Sequence, residues 1–254
     1  MNFRKAELLA KIINQKTKRI VMIPMDHGVS DGPIKGLDTI GRTIQAVKEA
    51  GVDVIVLHKG IYKRYREEIG DLPVLIHISA STTMGVALRK VLIAEPREID
   101  ALGAQGVSIH INMANQYEPE MLRDLGRVSC ECENLGLPLL AMMYPRSEKD
   151  GAIVTFTDVE RVKHAARVAA ELGADIVKVP YTGSAETFKE VVRGCPIPVI
   201  IAGGAKGSEE AMLESISGCI SVGAAGVSCG RNVFQHEDVK GMVAKIRSVV
   251  HGSL

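Results

Sequence analysis

The stretch ELGADIVKVPYTG, residues 171–183, holds the pattern on which the fold turns. A helix-forming segment reaches Gly173, a short β-branched run follows, and the run closes at Pro180 and a glycine turn. Glycine just past a helix end stops the helix, and a brief apolar run behind it reads as a buried strand. The same phrase recurs as AGVDVIV (50–56), ALGAQGVSI (101–109), NLGLPLLA (134–141) and VGAAGVSCG (222–230). A repeated helix, glycine, strand unit implies a parallel sheet, because parallel neighbours need a crossover between them.

Outward from this stretch, eight short apolar runs can be read along the chain: 20–25, 53–57, 73–78, 106–111, 138–144, 175–179, 197–202 and 225–229. Helical spacing fills the gaps, over 40–50 before Gly51, 159–172 before Gly173, and 208–216 ending near Gly218. No run stands out as an edge strand and no GxGxxG follows the first one, so the pattern predicts a closed (β/α)8 TIM barrel rather than an open doubly wound sheet. The N-terminal segment 3–14 is amphipathic, with Leu8, Leu9, Ile12 and Ile13 on one side, and is expected to be a helix covering the barrel floor or a neighbouring subunit. With no Pro/Ser-rich linker, residues 1–254 read as one barrel domain.

Composition narrows the partners. The chain has 254 residues, 46% of them hydrophobic, and a net charge of +1, which favours neither nucleic acid nor a membrane surface. The basic run Lys63 to Arg66 is followed at once by Glu67 and Glu68, the mark of a solvated helix face. Apolar runs such as 137–144 are far shorter than the roughly 18 residues of a membrane span. Five cysteines, an odd number spread over a long chain, point to reduced thiols and a cytoplasmic location.

In a barrel of this kind the polar residues that close each strand line the active site. The first run closes in Asp26-His27-Gly28, the second in His58-Lys59-Gly60, and the fifth in Tyr144-Pro145-Arg146. The sixth carries Lys178, and alternation places Ile176 with it in the interior while Val177 and Val179 face helices. Burying an ammonium without a partner costs several kcal/mol, so the neutral, nucleophilic amine is favoured there. From position alone a second reading stands, a lysine whose stem packs in the barrel while its head reaches the rim.

Gly203-Gly204 after the seventh run and Gly230-Arg231 after the eighth offer backbone N–H groups and a guanidinium to a phosphate, an arrangement common in such barrels. Asp26 and Tyr144 are the candidate acid-base pair for carbon–carbon chemistry. His27, His58, His77 and His110 raise a rival, a metal centre, but none has the one-residue-apart histidine partner usual for barrel hydrolases. A barrel that binds sugar phosphate without catalysis is the alternative from another class.

The segments PMDHGVSDGPIKGL (24–37), LLAMMYPRS (139–147), DIVKVPYTG (175–183), IIAGGAKGS (200–208) and VSCGRNVFQ (227–235) resemble the archaeal-type class I fructose-bisphosphate aldolase superfamily over nearly the whole chain. The resemblance implies Lys178 as Schiff-base lysine, Tyr144 as proton donor, Asp26 as proton acceptor, and phosphate binding at Gly203, Gly204, Gly230 and Arg231. His27, Gly28, Val29, Ser30, Pro145 and Arg146 are the remaining expected substrate contacts, with no metal and no organic cofactor. Fructose-bisphosphate aldolases of the superfamily carry Trp where this chain has Met142, and the chain contains no Trp, so the resemblance leans toward synthases that use L-aspartate semialdehyde. Aldolases acting on fructose 1,6-bisphosphate, or joining dihydroxyacetone phosphate to aspartate semialdehyde, are the alternatives. Rings of five stacked into homodecamers are common in the superfamily.

Overall fold

A computed structural model describes residues 2–203 and 208–252. Each of the eight expected runs is a strand: β1 Ile20–Pro24, β2 Val54–Leu57, β3 Val74–His77, β4 Gly106–Met113, β5 Leu139–Lys149, β6 Ile176–Val179, β7 Val199–Ala202 and β8 Gly226–Ser228. They pair in sequence order, all parallel, and β8 returns to β1 through Ile20 and Gly226, closing a (β/α)8 barrel. At that seam Gly226 has a φ of 146°, and a Cβ there would lie 2.0 Å from the Ile20 carbonyl oxygen. Only glycine lets the last strand approach the first this closely.

Strand alternation separates two apolar layers. Ile20, Met22, Val54, Val56, Leu75, Leu140, Met142, Ile176 and Ile200 fill the interior. Their sequence neighbours, among them Val21, Ile23, Ile55, Val177 and Val179, pack outward against the helices. The expected parity of β6 is the one observed.

The N-terminal helix runs Phe3–Ile12, started by Asn2, whose side chain accepts from the Arg4 N–H. Ile12, fully buried, joins the interior cluster with Leu9 and Ile13 beside it, so the helix covers the barrel floor. Lys5, only 2% exposed, lies 2.6 Å from Glu133 and 3.1 Å from Asp175, the residue before β6. Asp175 also accepts the Leu139 N–H at 2.8 Å, so one carboxylate ties the helix and the starts of β5 and β6 together. Lys5→Ala would leave that carboxylate without its cation, and a loss of about 2–4 kcal/mol is expected, read as a lower urea midpoint at unchanged slope.

Three details differ from the sequence pattern. The helix expected to end near Gly218 runs Glu209–Ser221, straight through that glycine, because Gly218 lacks the positive φ that stops a helix; the turn comes at Gly223, whose φ is 101°. β5 extends beyond Tyr144 and folds back against 152–155 as an antiparallel hairpin. After β3 the chain makes an excursion over residues 79–92, pinned where Ser79–Ala80 pairs with Val91–Leu92. Among the described residues no helix is long and apolar enough to cross a membrane.

Candidate active site

The C-terminal ends of the strands enclose a cavity of about 300 Å³. Lys178, Tyr144, Asp26, His27, Ser30, Arg146 and Arg231, each expected from the sequence, line it together. Lys178 is 6% exposed, paired in register with Met142 on β5 and Ile200 on β7, and its neighbours on the inner face are apolar. Tyr144 stands on the same face of β5, two residues nearer the mouth.

Asp26 follows β1 and begins the short helix His27–Asp31. Its two carboxylate oxygens lie 3.5 Å from His27 Nδ1 and 3.8 Å from His77 Nε2. Burial opposes its charge, but the fields of His77, His27, Lys178 and His58 outweigh it and bring the carboxyl down to about 2. Burial in turn lowers His77 to about 3, only partly offset by Asp26, and it lowers His27 and His58 as well. At neutral pH the site therefore holds an ionised Asp26 among uncharged imidazoles, a carboxylate placed to balance the positive charge of an iminium formed at Lys178. His77 is fixed by Ser108, whose Oγ is 2.8 Å from Nδ1, and its carbonyl lies 3.0 Å from His58 Nδ1.

Tyr144 is held by its neighbours. The His110 ring stacks on it at 4.8 Å between centroids, and the Arg146 guanidinium lies 4.2 Å from its ring centre. His110 is fixed by Asn112 at 2.8 Å, and Arg146 donates from Nε to Thr155 Oγ1 at 2.9 Å, so the 152–155 hairpin arm orients the guanidinium. The four histidines thus frame Asp26 and Tyr144, and among the described residues no three His, Cys, Asp or Glu side chains are arranged to hold a metal ion.

The loops after β7 and β8 meet as expected. The Gly203 N–H donates to the Ser228 carbonyl at 2.8 Å, and Asn232 donates to the Gly203 carbonyl at 3.0 Å. Gly230 makes room for His27, since a Cβ there would come within 2.9 Å of the imidazole. Gly204 lies outside the described residues.

Three expected contacts fall away from the cavity wall. Pro145 is buried on the outward side of β5, because alternation that turns Tyr144 and Arg146 inward must turn it outward. Gly28 and Val29 sit in the short helix after β1 with Val29 exposed, and of that helix His27, Ser30 and Asp31 reach the wall. Sequence reading in turn missed Lys90 and Ser81. The available signal was length: residues 78–95 make a long connection at the catalytic face, and long connections there tend to be functional.

Comparison with known proteins agrees with this geometry. The chain is 41% identical over 241 residues to 2-amino-3,7-dideoxy-D-threo-hept-6-ulosonate synthase 1 of Archaeoglobus fulgidus, covering 94% of this chain and 88% of that protein. It is 34% identical to 2-amino-4,5-dihydroxy-6-oxo-7-(phosphonooxy)heptanoate synthase of Streptomyces griseus, covering 99% and 92%. Among solved structures, an archaeal fructose-1,6-bisphosphate aldolase with its catalytic lysine covalently bound to the carbinolamine intermediate superposes with a TM-score of 0.87 at 29% identity, covering 98% of this chain and 100% of that one. The family model for DeoC/LacD aldolases matches residues 20–236, a span from β1 past β8 that holds the whole barrel ring, and the chain belongs to that family.

Proposed function

We propose that the protein is a lysine Schiff-base transaldolase that forms 2-amino-3,7-dideoxy-D-threo-hept-6-ulosonate from 6-deoxy-5-ketofructose 1-phosphate and L-aspartate semialdehyde. The observation that carries the chemistry is a lysine, Lys178, 6% exposed at the base of a cavity that it shares with Asp26 and Tyr144. The identity to the Archaeoglobus synthase supports the substrate pair, and Met142 beside Lys178 supports it over fructose 1,6-bisphosphate cleavage.

The neutral amine of Lys178 attacks the ketone next to the methyl group of the sugar, and loss of water gives an iminium. Asp26 takes the proton of the hydroxyl on the β-carbon, the bond between the α- and β-carbons breaks, and its electrons flow into the iminium. Hydroxypyruvaldehyde phosphate leaves and a hydroxyacetone enamine stays on the lysine. That enamine carbon attacks the aldehyde of aspartate semialdehyde, Tyr144 protonates the new alkoxide, and water releases the product and the free amine. Electrons balance without a metal or organic cofactor, because the iminium is the electron sink. By resemblance, the loop at Gly203 and Gly204 and the turn at Gly230 and Arg231 hold the phosphate of the donor, with the Arg231 guanidinium as its cation, since the Gly203 N–H is already given to Ser228. We further place the enzyme in the cytoplasm, where its five unbridged cysteines suit a reducing medium, as one barrel domain per subunit of a homo-oligomer, a decamer by resemblance.

Borohydride trapping tests the reading. Incubation with 6-deoxy-5-ketofructose 1-phosphate is expected to leave a three-carbon adduct on the Lys178 peptide, discharged when aspartate semialdehyde is added before the reductant. Faster labelling by fructose 1,6-bisphosphate or dihydroxyacetone phosphate would instead make the enzyme an aldolase of those substrates, the second reading, which the similarity to the Streptomyces synthase and to the archaeal fructose-1,6-bisphosphate aldolase structure favours. Tyr144→Phe is expected to lower kcat about 10²- to 10³-fold with KM nearly unchanged; a change in KM alone would remove Tyr144 from proton transfer.

A further inference from the structure

We propose that Lys90, Arg146 and Asp31 form a subsite for the α-amino-acid head of the acceptor aldehyde, its carboxylate against the two cations and its ammonium against Asp31. The inference rests on the transaldolase reading and adds the basis of its acceptor selectivity.

Lys90 enters the cavity from the excursion after β3, where its Nζ donates to Ser81 Oγ at 2.6 Å. Arg146 enters from β5, fixed by Thr155 and by the Tyr144 ring. Neither cation is ion-paired among the described residues, although both are half-buried in the same cavity. Two like charges in a partly desolvated pocket disfavour each other, and each is relieved by an anion that arrives from outside. Their mutual effect is visible in Lys90, which burial and then the Arg146 charge bring down to about 8.

Asp31 decides which anion. It lines the same cavity, at the end of the short helix after β1. That helix is tied to the excursion carrying Lys90, since the Ser30 carbonyl accepts from Thr83 through both its N–H at 3.1 Å and its hydroxyl at 3.0 Å. A phosphate at this place would meet the two cations together with a carboxylate of its own sign. A zwitterion meets a partner for each of its charges, and the adverse charge rejects the simpler anion. The phosphate has its own pole at Arg231, which follows β8, around the ring from the excursion after β3 and from β5. Reach agrees as well: in aspartate semialdehyde a single methylene separates the aldehyde from the carbon bearing ammonium and carboxylate, so the head falls on the mouth wall when the aldehyde meets the enamine.

The test compares L-aspartate semialdehyde with propanal, an acceptor of similar reach that lacks the head, with the same keto-sugar phosphate as donor. Lys90→Met is expected to cut the ratio of their kcat/KM values roughly ten- to hundredfold, the loss of a charged hydrogen bond. Asp31→Asn, on an exposed helix end and so safe for folding, is expected to cut it about tenfold. In the wild type the ratio should fall as pH rises through about 8, where Lys90 gives up its proton. The groups facing Lys90 are Arg146, Asp26, Asp31, His58, His77 and His110, and burial keeps these histidines uncharged above pH 7. A ratio within about twofold of wild type in both variants overturns the subsite while the transaldolase reading stands. A wild type that forms the imine but does not turn over aspartate semialdehyde overturns that reading and the subsite with it.

Discussion

Lys178→Met is expected to lower turnover at least about 10⁴-fold, the scale of losses seen when a covalent nucleophile is removed. Methionine suits the position: it is close to lysine in length, uncharged, and surrounded on the inner face by Ile176, Met142 and Ile200. The barrel should therefore stay folded, since among the described residues the buried amine makes no hydrogen bond. The informative pairing is activity with stability. A folded, inactive variant that yields no borohydride adduct assigns the imine to Lys178. Turnover persisting within tenfold of wild type would exclude it, whatever the melting curve.

The largest effect on stability is expected at the barrel seam. Gly226→Ala puts a Cβ 2.0 Å from the Ile20 carbonyl oxygen and 2.7 Å from the Ile20 nitrogen, both backbone atoms in the ladder that joins β8 to β1. A φ of 146° adds strain for any side chain. Neither strand can retreat without losing its pairing with the next, so the cost is expected to exceed about 4 kcal/mol. Recovery of soluble protein after refolding, and the urea midpoint of whatever is recovered, reads this directly. An unchanged midpoint would mean that the seam is looser than its geometry.

The barrel was legible in the sequence because the strands are apolar runs, most of them announced by a glycine turn, and eight such runs leave few topologies. Boundaries were less so. Asp53 and Asp175, taken as the first residues of strands, lie just outside them and use their carboxylates to accept the Val21 and Leu139 N–H groups of adjacent strands. Lys178, Tyr144 and Asp26 were legible for a related reason: a polar residue at the end of a buried run has nowhere to point but the mouth. Pro145 failed by the same rule, one position out of phase. Lys90 could not be found that way, since it belongs to a segment whose path across the mouth depends on contacts such as Thr83 with Ser30 and not on any period in the sequence.

The seam also bears on how the chain emerges during synthesis. Ile20 and Gly226 must meet to complete the ring, yet they leave the ribosome some two hundred residues apart. At about 5–20 residues per second, the open edge of β1 waits roughly 10 to 40 s for its partner. The floor helix waits as well, because Asp175, which fixes Lys5, is made long after it. For that interval the nascent chain carries an unpaired strand and an uncovered apolar helix face, the surfaces that a ribosome-associated chaperone shields. Truncations that stop short of residue 226 should therefore aggregate as a class, however stable the finished barrel.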